Sequence, residues 1–239
     1  MWFNFFKEII LWLADLDARL LLIVNGAHSP FFDAVMWCIS GRWIWVPFYI
    51  VLTYMLFRRF SWKRATLCLI TIGLIILAAD QTCASLIRPE VCRLRPANLN
   101  NPLSHLVHVV NGYRGGRYGF PSCHAANSFS LATLITLVFH NKKTAVLMVL
   151  WAILHSYSRV YLGVHYPGDI IAGAIIGCMV AGLVYYIFRC LLKVERMRKC
   201  HTAEPMIIPY MGLSIFFLLI LFCTINTYIL PRAFICHVN

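Results

Sequence analysis

The sequence predicts an all-α, polytopic membrane bundle, with about six transmembrane helices behind an N-terminal interfacial helix. Three observations carry this expectation. Of 239 residues, 61% are hydrophobic and only 13% are charged, against roughly 25% charged in soluble domains. The mean hydropathy is +0.74. The apolar residues also gather in blocks of membrane-spanning length. Together these features exclude a soluble domain, a disordered chain and a coiled coil, and they predict a single membrane domain over residues 1–239.

Residues 1–28 read as the interfacial helix. Asn4, Lys7, Glu8 and Asp15 fall near one side, and Phe3, Phe6, Ile10 and Leu13 largely on the other, the pattern of a helix lying in the membrane surface. Lys7, Glu8, Asp15, Asp17 and Arg19 interrupt the stretch too often for a span or a cleavable signal peptide. Residues 31–192 form the expected catalytic core. Its first span runs from residue 31 or 43 to 57, with Gly41 and Pro47 breaking the run. A second covers 65–87, a third 124–139, a fourth 144–161 and a fifth 169–188. The last transmembrane helix is expected at 206–230. Residues 88–123, rich in Arg, Asn, Gly and Pro, are too polar to span and too long for a passive connector.

Lys and Arg total 21 against 9 Asp and Glu, a formal net charge of +12. In a soluble chain that excess points to nucleic acid; here no nucleic-acid partner is expected, because most basic residues sit in short loops beside spans. Arg58, Arg59, Lys63 and Arg64, then Lys142 and Lys143, then Arg189, Lys193, Arg196, Arg198 and Lys199 all fall on one side under a six-span count. That side is assigned as cytoplasmic. The ten cysteines show no CxxC pattern, and Cys68, Cys178 and Cys223 read as small hydrophobes within spans. A Cys92–Cys123 disulfide is disfavoured, since nothing in the sequence brings the two together.

A smaller set of basic residues lies on the opposite side, where that charge rule disfavours them. Arg88 with Arg95-Pro96, Pro121-Ser122-Cys123-His124, and Ser158-Arg159 with His165 and Asp169 each stand at the outer end of a span. Helices of similar length bring all three to one depth. Three converging guanidinium groups repel unless an anion sits among them, and their paired donors suit phosphate. Ser122, Cys123 and His124 open the third span, so their backbone N–H groups are expected to be free and aimed at the same anion. His165 is the candidate nucleophile, oriented by Asp169 four residues later across Pro167-Gly168. His124, from another helix, is the candidate general acid.

The spacing Arg-x6-Arg-Pro, then Pro-Ser-Cys-His, then Ser-Arg-x5-His-x3-Asp resembles the type 2 phosphatidic acid phosphatase family over roughly residues 60–190. That superfamily includes membrane lipid phosphatases, glucose-6-phosphatase and the vanadium haloperoxidases. The resemblance implies that Arg88, Arg95 and Arg159 bind phosphate, that Ser122 and Cys123 help cradle it, and that His124, His165 and Asp169 are catalytic. Arg88 stands where the family usually has Lys, and Cys123 where it usually has Gly. No cofactor or metal is expected, since the mechanism requires none and no carboxylate cluster is evident to hold one. Compact size and short loops resemble bacterial members, which act on lipid A, undecaprenyl pyrophosphate, phosphatidylglycerol phosphate or phosphatidic acid. Lipid A heads the expectation, with undecaprenyl pyrophosphate close behind. The expected location is a bacterial inner membrane with the pocket facing outward; oligomeric state is not readable. A lipid-to-lipid phosphotransferase and a non-catalytic lipid transporter are the alternatives, with a haloperoxidase a weak third.

Each residue alone has a bland explanation. Arg88 or Arg95 can snorkel at a span end, His124 can sit at the interface, and Asp169 can favour a helix dipole. Joint occurrence at fixed spacing reverses the balance. His155 is expected as a packing histidine within a span, and His105 and His108 as loop residues. Arg114 and Arg117 are expected to face solvent or lipid phosphate, and Trp2, Trp12, Trp43 and Trp45 to anchor at the interface.

Overall fold

A computed structural model describes residues 2–191 and 207–225. Among the described residues the chain is helical, and a lone antiparallel bridge joins Leu94 to Tyr118. In order come α1 (Trp2–Gly26), α2 (Pro30–Ser40), α3 (Val46–Arg59), α4 (Trp62–Gln81), α5 (Arg88–Val91), α6 (Cys123–Phe139), α7 (Lys142–Tyr161), α8 (Pro167–Leu191) and α9 (Ile207–Thr224). The C-terminal basic stretch from Lys193 to Lys199 lies outside the described residues, as do the ends of the helix expected at 206–230.

α6 is the axis. It packs most extensively against α8 and α7, then α4. Apolar or small residues bury it nearly all round: Ala125, Ala126, Ser128, Ser130, Leu131, Ala132, Leu134, Ile135, Val138 and Phe139. A helix without a polar face belongs inside a bundle. In lipid, helices gain little from apolar burial alone, so close approach through small residues drives association. Gly173 and Gly177 of α8 supply that approach. A Cβ at Gly173 would strike the Ser122 carbonyl oxygen, and one at Gly177 would sit 2.9 Å from the Ala126 carbonyl carbon.

The outer helices carry the lipid-facing surface. Ile70, Leu74 and Leu77 of α4, Val146, Val149 and Leu150 of α7, and Ile171, Ile175, Met179 and Leu183 of α8 are all exposed, an apolar belt that a soluble protein does not tolerate. Trp62–Val91 and Pro167–Cys190 are each long and apolar enough to cross a membrane; Pro30–Ser40 and Trp43–Arg59, bent by 68°, make a third as a broken span. The break falls at Gly41 and Arg42, where sequence offered two starts for the first span. α6 and α9 are shorter apolar helices, and α7 is diluted by Lys142, Lys143, His155 and Arg159.

Two features differ from expectation. Trp45 is not an interfacial anchor: it is buried, donates from Nε1 to the Ile39 carbonyl at 2.8 Å, and packs edge-on against Trp151. The C-terminal half of α1 does more than lie on a surface. Leu21 and Asn25 are fully buried four residues apart, with Asp17 on the same face, where α1 packs against α7 and α8. Asn25 locks this contact by donating to the carbonyls of His108 (2.9 Å) and Tyr161 (2.7 Å) and accepting from the His108 N–H (2.7 Å). The turn after α7 approaches so closely that Gly163, at φ +69°, has Val107 and the His108 carbonyl where a side chain would be.

The basic turns lie at the end of α6 remote from its N-terminus. Arg59 donates to the Phe139 carbonyl at 3.2 Å, which brings the α3–α4 and α6–α7 turns together. At about 1.5 Å per residue, the 17 residues of α6 separate this end from Ser122 by about 25 Å.

Candidate active site

The α4 rod continues through a π-helical turn at Thr82–Ile87 into α5, which presents Arg88. Cys92, left-handed at φ 50°, stops the helix by donating its N–H to the Arg88 carbonyl at 3.0 Å. Arg88 is half-buried, and its Nη2 donates to the Pro121 carbonyl (3.1 Å) and to Cys123 Sγ (2.8 Å). The first and second motifs therefore touch directly.

The segment from 92 to 122 is folded across this end of the bundle. Arg95 donates its N–H to Arg117, Gly119 donates to Arg93, and Ala97 donates to Gly163. The Asn101 side chain donates to the Arg95 carbonyl (3.0 Å) and the Tyr166 hydroxyl (2.9 Å). Arg114, partly exposed, donates from Nη1 to the Ala97 carbonyl at 2.7 Å. These ties hold Arg95 buried, with Nε donating to Tyr118 and Nη1 to the Val164 carbonyl. Burial, with Arg159 and Arg88 nearby, pulls its pKa down to about 10, so it stays charged at neutral pH.

Ser122 caps α6, its hydroxyl accepting from the Ala125 N–H at 3.4 Å. Its own N–H is not free, contrary to expectation: it donates to the Asp169 carbonyl at 3.0 Å. The tight α6–α8 packing causes this, because Gly173 lets the two helix starts meet. Cys123 offers its thiol to Arg88. His124, the next residue, is exposed, and its ring centroid lies 5.8 Å from that of His155. His155 is buried and bonded to Ser128 at 2.7 Å, a packing histidine as expected.

Arg159, on the last turn of α7, is 4% exposed. It donates to the Ser40 hydroxyl at the end of α2 and, at 3.2 Å, to the Tyr113 hydroxyl. Just beyond α7, His165 Nδ1 lies 3.3 Å from Asp169 Oδ2, and its Nε2 lies 3.1 Å from Arg95 Nη1. A guanidinium only donates, so Nε2 accepts and the proton resides on Nδ1, facing Asp169. Burial, then Arg95, Arg159 and Arg88, hold the His165 pKa well below its usual 6.5. His165 is thus a neutral imidazole with a defined tautomer and its lone pair turned into the arginine cluster.

Sequence reasoning missed four residues here. Arg93 donates to Asp169 Oδ1 (2.9 Å) and pairs with Asp17 Oδ2 (2.6 Å), while its guanidinium lies 3.8 Å above the Tyr166 ring. Asp17 also accepts from the Gly168 N–H at 2.7 Å. Arg93 was hidden beside the louder Arg95-Pro96, and Asp17 read as one more charge interrupting an apolar stretch. The signal for Asp17 was its four-residue spacing to Leu21 and Asn25. Tyr113 and Ser40, which hold Arg159, carried no local signal because both come from other elements.

The charge balance is the decisive feature. Among the described residues, Arg93 takes both carboxylates, whereas Arg88, Arg95 and Arg159 form no ion pair. Arg88 Nε and Arg159 Nε are moreover buried without a hydrogen-bond partner. All three arginines act electrostatically on His165, and Arg159, Arg95 and His165 act on His124.

Fold and site together define a class of all-helical membrane proteins with an arginine–histidine pocket at one end of the bundle. The chain belongs to the PAP2 superfamily, which it matches over residues 70–192. It is 51% identical over 179 residues to the lipid A 4'-phosphatase of Bacteroides thetaiotaomicron, covering 75% of this chain and 80% of that protein. To the lipid A 4'-phosphatase of Porphyromonas gingivalis it is 34% identical, covering 74% and 75%. The fold is similar to that of the transmembrane PAP2-type phosphatidylglycerolphosphate phosphatase of Bacillus subtilis (TM-score 0.56, 23% identity, 78% of this chain and 89% of that one). It also resembles Aquifex aeolicus LpxE (TM-score 0.54, 24% identity, 70% and 93%).

Proposed function

We propose that this protein is a PAP2-type lipid phosphatase that removes the 4'-phosphate of lipid A through a phosphohistidine. The carrying observation is the cluster of three guanidinium groups, none paired with a carboxylate, gathered round a neutral imidazole. Buried charge of one sign is costly unless an opposite charge joins it, and a phosphate dianion answers that demand with matched geometry. Two relatives named as lipid A 4'-phosphatases support the choice of lipid.

In this reading the lipid chains stay in the bilayer while the phosphate enters among Arg88, Arg95 and Arg159. The His165 Nε2 lone pair attacks phosphorus, and the phosphorus–oxygen bond to the lipid breaks. His124, protonated beside the bound dianion, gives its proton to the departing oxygen. Asp169 holds the Nδ1 proton and stabilises the cationic ring that forms. His124, now neutral, takes a proton from water as the water oxygen attacks phosphorus; the phosphorus–nitrogen bond breaks, its electron pair returns to His165 Nε2, and inorganic phosphate leaves. The Cys123 and His124 N–H groups and the Ser122 hydroxyl supply further donors for the oxyanion. No metal takes part, and the whole chain acts as one domain. The pocket faces the periplasm of a bacterial inner membrane, a reading supported by the basic turns at the far end of α6.

The test is phosphate release from purified lipid A, undecaprenyl pyrophosphate, phosphatidylglycerol phosphate and phosphatidic acid, with His165→Ala as control. Fastest release from lipid A, an acid-labile phosphoenzyme and loss of both in the variant are expected. Turnover persisting in His165→Ala removes it as nucleophile. Phosphate passed to a second lipid marks a phosphotransferase, and binding without any release marks a carrier.

A further inference from the structure

Outside the phosphate pocket, three metal-ligating side chains from separate stretches of chain meet at the same end of the bundle. His28 lies in the turn between α1 and α2, Asp33 in the first turn of α2, and His108 in the long segment before α6. One ligand atom from each lies within 4.8 Å of the other two. His108 Nε2 is already 2.9 Å from Asp33 Oδ2, and the His28 ring stacks on His108 with centroids 3.7 Å apart and planes inclined by 6°.

We propose that His28, Asp33 and His108 bind a divalent transition-metal ion, Zn2+ foremost, as a clamp separate from the phosphate pocket. Two imidazoles and one carboxylate form a donor set suited to Zn2+ and its late first-row neighbours, and poorly suited to Mg2+ or Ca2+, which want more oxygen. Bonds of about 2.0–2.1 Å to a tetrahedral ion place ligand atoms roughly 3.3 Å apart, so the exposed His28 ring must turn out of its stack on His108 to aim a nitrogen at the ion. Water takes the remaining position.

What distinguishes this cluster from a chance surface grouping is its supporting shell. Metal ligands are normally oriented by partners on their other atoms; here Asp33 has such a partner and His108 is fixed through its backbone. Asp33 Oδ1 accepts from the Tyr161 hydroxyl at 2.7 Å, which leaves Oδ2 for the ion. The His108 backbone is gripped at both N–H and carbonyl by the fully buried Asn25 side chain. His28 is exposed and held by its stack on His108, as befits the ligand that closes last. The bound ion fastens the α1–α2 turn to the segment that leads, five residues on, to Tyr113 and its contact with Arg159.

The experiment uses the full chain in detergent, freed of any polyhistidine tag and stripped with EDTA. Zn2+ is titrated calorimetrically and Co2+ by its visible ligand-field absorption, with thermal unfolding followed in parallel. One ion per chain, a raised Tm and imidazole-type Co2+ bands are expected. His28→Ala, an exposed residue whose loss leaves the core intact, weakens binding by about tenfold or more, while stripped variant and stripped wild type turn over alike. Absence of Zn2+ binding by the wild type, or equal affinity in His28→Ala, overturns the proposal. Asp33→Asn gives a second check, removing the anionic ligand while retaining a hydrogen-bonding oxygen for Tyr161.

Discussion

Replacing Gly173 by alanine tests whether the two helix starts that build the pocket must meet at backbone contact. The added Cβ would lie closer than 3.0 Å to the Ser122 carbonyl oxygen and 3.1 Å from Ala125 Cβ, whereas ordinary contact begins at 3.4 Å. Both obstacles are backbone or the first side-chain atom, so no rotamer change relieves them. To restore ordinary contact with the Ser122 carbonyl oxygen, α6 and α8 must part by about 1 Å. The Ser122 N–H bond to the Asp169 carbonyl, 3.0 Å long, is then stretched beyond hydrogen-bonding distance. With about a hundredfold rate loss per ångström of misplacement, a parting of about 1 Å lowers kcat/KM about a hundredfold. Overpacking costs about 1–3 kcal/mol of stability besides. The assay is initial-rate phosphate release from a lipid phosphate in mixed micelles, paired with thermal unfolding. Gly182→Ala on the same helix is the control, because nothing lies within 4 Å of its Cβ position and alanine favours the helix by about 1 kcal/mol. If Gly173→Ala kept the rate and Tm of the Gly182 variant, the claim that close α6–α8 contact sets the pocket would fail.

Two further outcomes follow from the charges around His165. Arg93→Gln leaves Asp169, fully buried, facing only the imidazole and the Tyr166 N–H; kcat falls at least about tenfold, and Asp17→Asn reproduces part of the loss because Asp17 positions Arg93, whereas wild-type rates in both variants would refute a role for the bridge. The His165 pKa, held well below 6.5, leaves it neutral until the medium turns distinctly acidic, so the acid limb of kcat/KM assigned to this group lies below pH 6.5. Arg95→Gln removes a neighbouring positive charge and the donor to Nε2, which raises that pKa and moves the limb to higher pH alongside the loss of phosphate affinity; an unmoved limb would detach Arg95 from the titration.

The motif residues were legible in the sequence because each motif is a local string attached to a helix end. Arg88, Ser122, Cys123, Arg159, His165 and Asp169 all stand within a turn of such an end, and helix ends of one bundle share a depth. The spacing of His165 and Asp169 spoke for itself, since four residues across a helix start put a ring nitrogen beside a carboxylate. The bridge through Arg93 was not legible. Its partners lie at positions 17 and 169, and no local pattern reports a contact across that much chain. Trp45 failed for a related reason: an aromatic near a span end reads as an interface anchor until a bend of 68° between α2 and α3 turns it against Trp151.

Composition and apolar periodicity by themselves determined that this chain is helical and lives in a membrane, because lipid leaves the backbone few ways to satisfy its hydrogen bonds. The order of charged residues along it likewise determined which groups gather at one end. Only tertiary structure decided how those groups divide the available carboxylates. Two acids went to Arg93, three arginines went without, and the tautomer of His165 followed from which neighbour donates. Such assignments depend on distances of about 3 Å between atoms far apart in the chain, and those distances exist only once glycines let helices touch.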